Sequence, residues 1–136
     1  MPTTADRDPG ARATARFTPA ELAYLLDERR LGRLATADAT GAPHVVPVGW
    51  SYNRELGTID ISGSNFAATR KYRNVQANPR AAFLVDDVLP PFRPRCVMIR
   101  GTAHAIDVER SDVTEAMIRI VPKTITSWGL DDKPPS

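Results

Sequence analysis

Apolar and polar positions alternate with a period of two along much of the chain, and two stretches break that rhythm with helical spacing. The first is "FTPAELAYLLDERR" (17–30). Leu22, Leu25 and Leu26 fall at i, i+3 and i+4, on one stripe. Thr18 can cap, Pro19 suits the first helical position, and Glu21 stands three residues after the cap, which together make a capping box. This predicts a helix over 19–30. "LGRLATADATGAPHVVPVGWSYN" (31–53) then reads as a hairpin. Its strands are Leu31–Ala37 and His44–Tyr52, with a turn through Asp38–Pro43. Pro47 has no N–H to give a neighbouring strand, so it marks an edge, a bulge or a bend.

"TIDIS" (58–62) alternates as a short strand, and residues 63–66 read as a loop. A second helix is expected from Ala67 to Ala77, stopped by Asn78-Pro79. "AAFLVDD" (81–87) is a buried-looking strand and "VLPPFRPR" (88–95) a proline-rich loop. "CVMIRGTAHAID" (96–107) is a long strand in which Gly101 signals a bulge. A short polar or helical piece is expected over 109–115, and "AMIRIVPKTITSWGL" (116–130) supplies the last strand or two, broken at Pro122. The sum is a mainly β fold: about six antiparallel strands and two or three short helices, a spacing that favours a barrel or a sandwich. Residues 1–16 and 131–136 read as frayed tails around a 17–130 domain.

A chain of 136 residues supports one modest core, which a dimer would reinforce. The single cysteine, Cys96, excludes an intrachain disulfide. No apolar run approaches the ~20 residues of a membrane span, and no signal-peptide core opens the chain, so a cytoplasmic location with no membrane partner is expected. The only histidines, His44 and His104, show no metal-ligand spacing, and no metal is expected. Neither a nucleophile elbow nor a triad is legible, so no catalytic residue can be named.

Net charge is only +2, which does not point to nucleic acid, and the 7% aromatic content is low for base stacking. The distribution of charge says more. Residues 70–100 hold Arg70, Lys71, Arg73, Arg80, Arg93, Arg95 and Arg100 against Asp86 and Asp87 alone. In the second helix, Ala68, Tyr72 and Val75 should face the sheet, leaving Arg70, Arg73 and Asn74 opposite. A solvated face is one explanation. However, Arg70 and Lys71 fall in the first turn, where cations oppose the helix dipole and an anion would relieve the conflict. The helix also follows directly from "ISGSN", whose Gly63 and small hydroxyl residues would let a phosphate approach the backbone.

"TRKYRNVQANPRAAFLV" (69–85) resembles the flavin-phosphate segment of the pyridoxamine 5′-phosphate oxidase-like split β-barrels. "GTIDISG", "PPFRPR", "IRGTA" and "SWGL", with the hairpin above, are similar to an actinobacterial branch that uses the deazaflavin coenzyme F420. The resemblance runs from about residue 17 to residue 130. It implies a split-barrel homodimer with the cofactor, F420 or alternatively FMN, in a groove between subunits. It implies a hydride-transferring oxidoreductase, with a non-catalytic cofactor carrier or sensor as the alternative.

By resemblance, Arg70 and Lys71, next to Thr69, hold the cofactor phosphate. The backbone of Val46, Pro47, Val48, Gly49, Trp50 and Ser51 lies along the ring and ribityl chain, joined by Ile61 and Ser62. Family members place a polar side chain at the position of Cys96, reaching in from the second subunit, and Trp128 is a further cover for the ring. Arg73, Arg93 or Arg95 would meet the coenzyme's carboxylates. From the residues alone, Cys96 beside Arg93 and Arg95 would have a lowered thiol pKa if they were close, or else is a plain strand residue. Asp86 and Asp87 would pair with local arginines. The pyridoxamine phosphate oxidases carry a C-terminal basic segment with a substrate-binding histidine; "SWGLDDKPPS" has none, so vitamin B6 oxidation is not expected.

Overall fold

Seven strands form where about six were expected. The computed structural model describes residue 13, residues 15–28 and residues 30–130. Its elements are α1 (Pro19–Asp27), β1 (Gly32–Ala37), β2 (Pro43–Val48), β3 (Ser51–Asn53), β4 (Thr58–Ser62), a 3₁₀ turn (Phe66–Ala68), α2 (Arg70–Ala77), β5 (Arg80–Leu89), β6 (Arg93–Arg110) and β7 (Val113–Trp128). The extra strand arises because the expected His44–Tyr52 segment breaks at Gly49-Trp50 into β2 and β3. The expected tails fall mostly outside the described residues, although the Ala13 N–H donates to the Leu56 carbonyl at 2.8 Å.

All strands join one antiparallel sheet in the order β2-β1-β5-β6-β7-β4-β3. That order places β2 and β3 at opposite edges, yet only Gly49 and Trp50 separate them in the chain. Three Cα steps span at most about 11 Å. The sheet must therefore curl until its two edges meet, giving a barrel left open along the β2/β3 seam. Pro47 sits on β2, an edge strand, where its missing donor is tolerated.

The barrel is filled by Leu34, Ile59, Ile61, Phe83, Val85, Val97, Ile99, Ile118 and Ile120, all at most 1% exposed. One helix closes each end. At one end α1 buries Tyr24 and Leu25, and its Glu21 accepts a hydrogen bond from Ser127 of β7. The capping box is present: Thr18 N–H donates to Glu21 Oε1 (2.8 Å) and Glu21 N–H to Thr18 Oγ1 (3.2 Å). The helix stops at Asp27 rather than at residue 30, and Leu26 of the expected stripe is 47% exposed while Tyr24 takes its place inside. At the other end α2 buries Tyr72 and Val75, and Asn74 Nδ2 donates to Thr36 Oγ1 of β1 at 3.1 Å. Asn74 is thus buried rather than opposite the sheet, and Ala68 is exposed rather than packed on it.

Three further expectations are corrected. Residues 109–115 hold no helix: Ser111 and Asp112, at φ 48° and 71°, form the tight hairpin turn joining β6 to β7. Two successive positive φ values give that turn the twist of the flanking strands. The "VLPPFRPR" segment is strand at both ends, with the turn confined to its middle. Finally, β7 runs unbroken through Pro122, because the ladder absorbs the proline in a bulge: Arg100 faces Thr124, Gly101 faces Pro122, and Lys123 is left over. Gly101 was expected to mark a bulge, and it does. A Cβ there would stand 2.1 Å from the Val121 carbonyl oxygen, so only glycine fits.

Candidate cofactor site

The open seam is the first component of the site. An edge strand turns alternate N–H and C=O groups away from its neighbour, ready for a ligand. In β2, Val48 is buried and Val46 packs against the core, whereas Pro47 is exposed. For the two valines, only the main chain is available to a ligand. Trp50 is engaged within the fold: its indole N–H donates to the Arg30 carbonyl at 2.8 Å and its ring meets Phe83 edge-on at 5.5 Å. Ser51 pairs with Asp60 at the start of β3. Carried two residues further, that register would set Trp50 beside Ile61 and Gly49 beside Ser62, where the ladder has ended. The structure thus places Ser51 against Asp60 and leaves Gly49 and Trp50 outside the ladder. Ile61 faces the core, 1% exposed, and Ser62 is exposed.

The second component is the start of α2. Thr69 is its N-cap, with Oγ1 accepting from the Tyr72 N–H (3.3 Å) and donating to the Phe66 carbonyl (2.7 Å). The expected helix at Ala67 is therefore a 3₁₀ turn followed by a new helix, and Arg70 and Lys71 become its first two residues. Arg70 and Arg73 are exposed. Lys71 is half-buried, with Nζ 5.0 Å above the Phe66 ring. None of the three is ion-paired among the described residues.

A groove of about 620 Å³ has Ser62–Ala67 on one wall and Asp107, Thr114, Glu115 and Ala116 on the other, and none of its described lining residues comes from segment 46–51 or from α2. Asn65 makes the bend at its floor in the left-handed region, φ 50°. Asp107 and Glu115 were not foreseen, since they arrive from the β6–β7 hairpin, far along the chain. Asp107 also lies close enough to Tyr72 to add to the burial that raises its phenol pKa. The described lining of this groove carries Asp107 and Glu115 and no basic side chain.

Other expected contacts are placed differently. Arg95 forks onto Asp87 (2.9 and 2.6 Å), and Arg30 and the Tyr24 hydroxyl reach the same carboxylate (3.3 and 3.0 Å). Arg95 is thus committed to the α1 end of the barrel rather than to a coenzyme, and the aspartate pairing expected from sequence is present. Asp86 has a looser partner in Arg33 at 3.9 Å. Cys96 is 3% exposed, opposite Trp128 and Asp86 in the ladders. Burial, then the Asp86 charge, pushes its thiol up to about 11, the reverse of the lowering that nearby arginines would cause. We expect Cys96 to resist thiol-alkylating reagents at neutral pH until the protein is unfolded. Rapid labelling of the native protein would show the site to be more open than this. Among the described residues, Cys96 and Trp128 share no hydrogen bond or ring contact with segment 46–51 or the α2 cations.

A seven-stranded antiparallel barrel, split at one seam and carrying a basic helix start that is not ion-paired among the described residues, defines a small split-barrel protein. The family model described as pyridoxamine 5′-phosphate oxidase matches residues 18–136, and the chain belongs to that family. It is 44% identical over 121 residues (85% of this chain, 84% of the relative) to the 5a,11a-dehydrotetracycline/5a,11a-dehydrooxytetracycline reductase of Streptomyces rimosus subsp. rimosus. Together these support an oxidoreductase. Among solved structures, a conserved hypothetical protein from Mycobacterium tuberculosis superposes with TM-score 0.65 at 24% identity, covering 87% of this chain and 88% of that one. An F420 reductase superposes with TM-score 0.58 at 20% identity, covering 76% and 94%. Both show the same fold. No helix among the described residues is long and apolar enough to cross a membrane.

Proposed function

We propose that the chain is a reductase dependent on coenzyme F420, reducing a conjugated, polyketide-like substrate by hydride transfer. The observation that carries this reading is the Arg70-Lys71 start of α2, not ion-paired among the described residues, on a barrel open along its β2/β3 seam. The two features suit the phosphate tail and the flat ring of one elongated coenzyme. The relative that reduces dehydrotetracyclines supports the substrate class, and the neighbour titled F420 reductase is in keeping with the coenzyme.

When bound, the deazaflavin supplies the hydride. The chain's own residues position and bind. Arg70 and Lys71 hold the tail by charge-assisted hydrogen bonds. The Val46–Ser51 main chain lies along the ring and offers its edge groups to the ring carbonyls, with Ile61, Ser62 and Thr69 at the neighbouring strand and cap. Near-contact placement of donor and acceptor carbon is the protein's main contribution. The reduction of a conjugated C=C also takes up one proton. Val46–Ser51 carries no titratable side chain, and water supplies that proton. Trp128 shares no ring contact with the chain's own seam among the described residues, and in this reading it meets the ring of a second copy's coenzyme across a homodimer, whereas Cys96, 3% exposed, is not available to one.

Reduced F420 mixed with a dehydrotetracycline, a quinone and simple unsaturated ketones should regain the oxidised coenzyme's absorbance on at least one of them. The absence of turnover above the enzyme-free blank on every acceptor would favour a carrier.

A further inference from the structure

Away from the seam and α2, the outer surface of β1, β5, β6 and β7 holds a second concentration of positive charge. A groove of about 750 Å³ is lined there by Ala35–Ala37, Arg80–Ala82, Arg100–Thr102, Lys123 and Thr124. Its cations come from three adjacent strands, and the ladder fixes them together. Arg80 faces Thr102, Ala82 faces Arg100, and Arg100 faces Thr124. The two arginines are therefore diagonal neighbours on one face. Lys123 joins them because the bulge at Gly101 makes it the extra residue of β7 between Pro122 and Thr124. The described residues lining the groove include no acid, and neither Arg80 nor Arg100 is ion-paired among the described residues.

Like charges on facing strands destabilise a sheet. Here the cations converge on a concave surface rather than spreading, and small residues (Ala35, Ala37, Ala82, Gly101) leave room between them. Thr102 and Thr124 also line the groove, and so does Thr36, whose hydroxyl is turned inward to Asn74. Two guanidinium forks in a groove of this width suit an oxyanion with more than one charged group, because each fork can take two oxygens.

We propose that this groove is a second anion-binding site, distinct from the α2 site and specific for a multivalent oxyanion, either a phosphate chain or a polycarboxylate. It does not depend on the coenzyme reading. Two sources fit the same chemistry: a separate anionic molecule, or the far end of a long, negatively charged ligand.

The probe is tripolyphosphate, titrated calorimetrically at ionic strength held constant with sodium chloride. The wild-type chain should bind one equivalent at this site. Arg80→Gln with Arg100→Gln should weaken that binding at least tenfold, while Arg70→Gln with Lys71→Gln should leave it within about twofold. In ¹⁵N-labelled wild-type protein the amides of Thr102 and Thr124 should shift with the same affinity, a readout that needs no variant. Competition by F420 would uphold the site and assign its occupant to the coenzyme. Independence from F420 would uphold it with a separate anion. No binding above the salt control, unmoved Thr102 and Thr124 amides, or loss of binding in the α2 variant alone would overturn the proposal.

Discussion

Replacing Arg70 and Lys71 together by alanine should weaken coenzyme binding by roughly 3–6 kcal/mol, taking about 1.5–3 kcal/mol for each charge-assisted hydrogen bond lost. That is two to four orders of magnitude in Kd. The fold should not suffer. Arg70 is exposed, neither side chain is ion-paired, and basic residues in a first turn oppose the helix dipole. Removing them should leave thermal stability unchanged or slightly raised. A solvated basic face predicts the same stability but unchanged affinity. Coenzyme fluorescence titrated beside a thermal melt of each protein therefore separates the two explanations, and equal affinity of variant and wild type would return the cluster to solvent.

The largest loss of stability should follow Asp87→Ala. Arg95, Arg30 and Tyr24 all converge on this carboxylate, and both guanidinium groups lie over the Tyr24 ring at 4.9 and 4.3 Å. Among the described residues, removing the acid takes the one ion-pair partner from Arg95 and one of two from Arg30, side chains that are only 22% and 9% exposed. We expect a cost of about 2–4 kcal/mol, short of the roughly 3–5 kcal/mol of a fully buried pair because water still reaches Asp87. The pH dependence follows. The hydrogen bonds from Arg95, ahead of that from Tyr24, hold the Asp87 carboxyl below its usual range against the opposing effect of burial. A depressed folded pKa means that the stabilisation is complete above the unfolded value, about 3.9, and fades as pH falls through the folded one. Urea midpoints of wild type and variant should therefore differ most near neutrality and converge in acid. A constant gap down to about pH 2 would contradict this account.

Asp87 also illustrates what the sequence made legible. Its pairing with a local arginine was readable because Arg95 lies across a short hairpin, within the same run of the chain. Arg30 and Tyr24 were not, because they reach Asp87 only after α1 has docked on the barrel end. Local signals fared well: the capping box at Thr18, the edge proline Pro47, the bulge at Gly101 and the stop at Asn78-Pro79 each rest on backbone chemistry within a few residues. Long-range geometry fared worse. The split of β2 from β3 at Gly49-Trp50 has no loud turn signal, since barrel closure imposes it. Asn74 looked polar enough for solvent, yet it is drawn inside by Thr36 of a distant strand. In the site, the basic start of α2 was visible from charge against helix position, whereas Asp107 and Glu115 were invisible until the β6–β7 hairpin was built. Cys96 could be read as activated by its arginine neighbours or as a plain strand residue, and the second reading fits: Arg95 is turned to Asp87 and burial governs the thiol.

In the proposed complex the split seam and the α2 cations form one binding site for a deazaflavin. Its most direct test is a side-by-side equilibrium titration of the purified protein with F420 and with FMN. Saturable binding of F420, tighter than that of FMN, is the expected result. Tighter binding of FMN, or no binding of either, would contradict it.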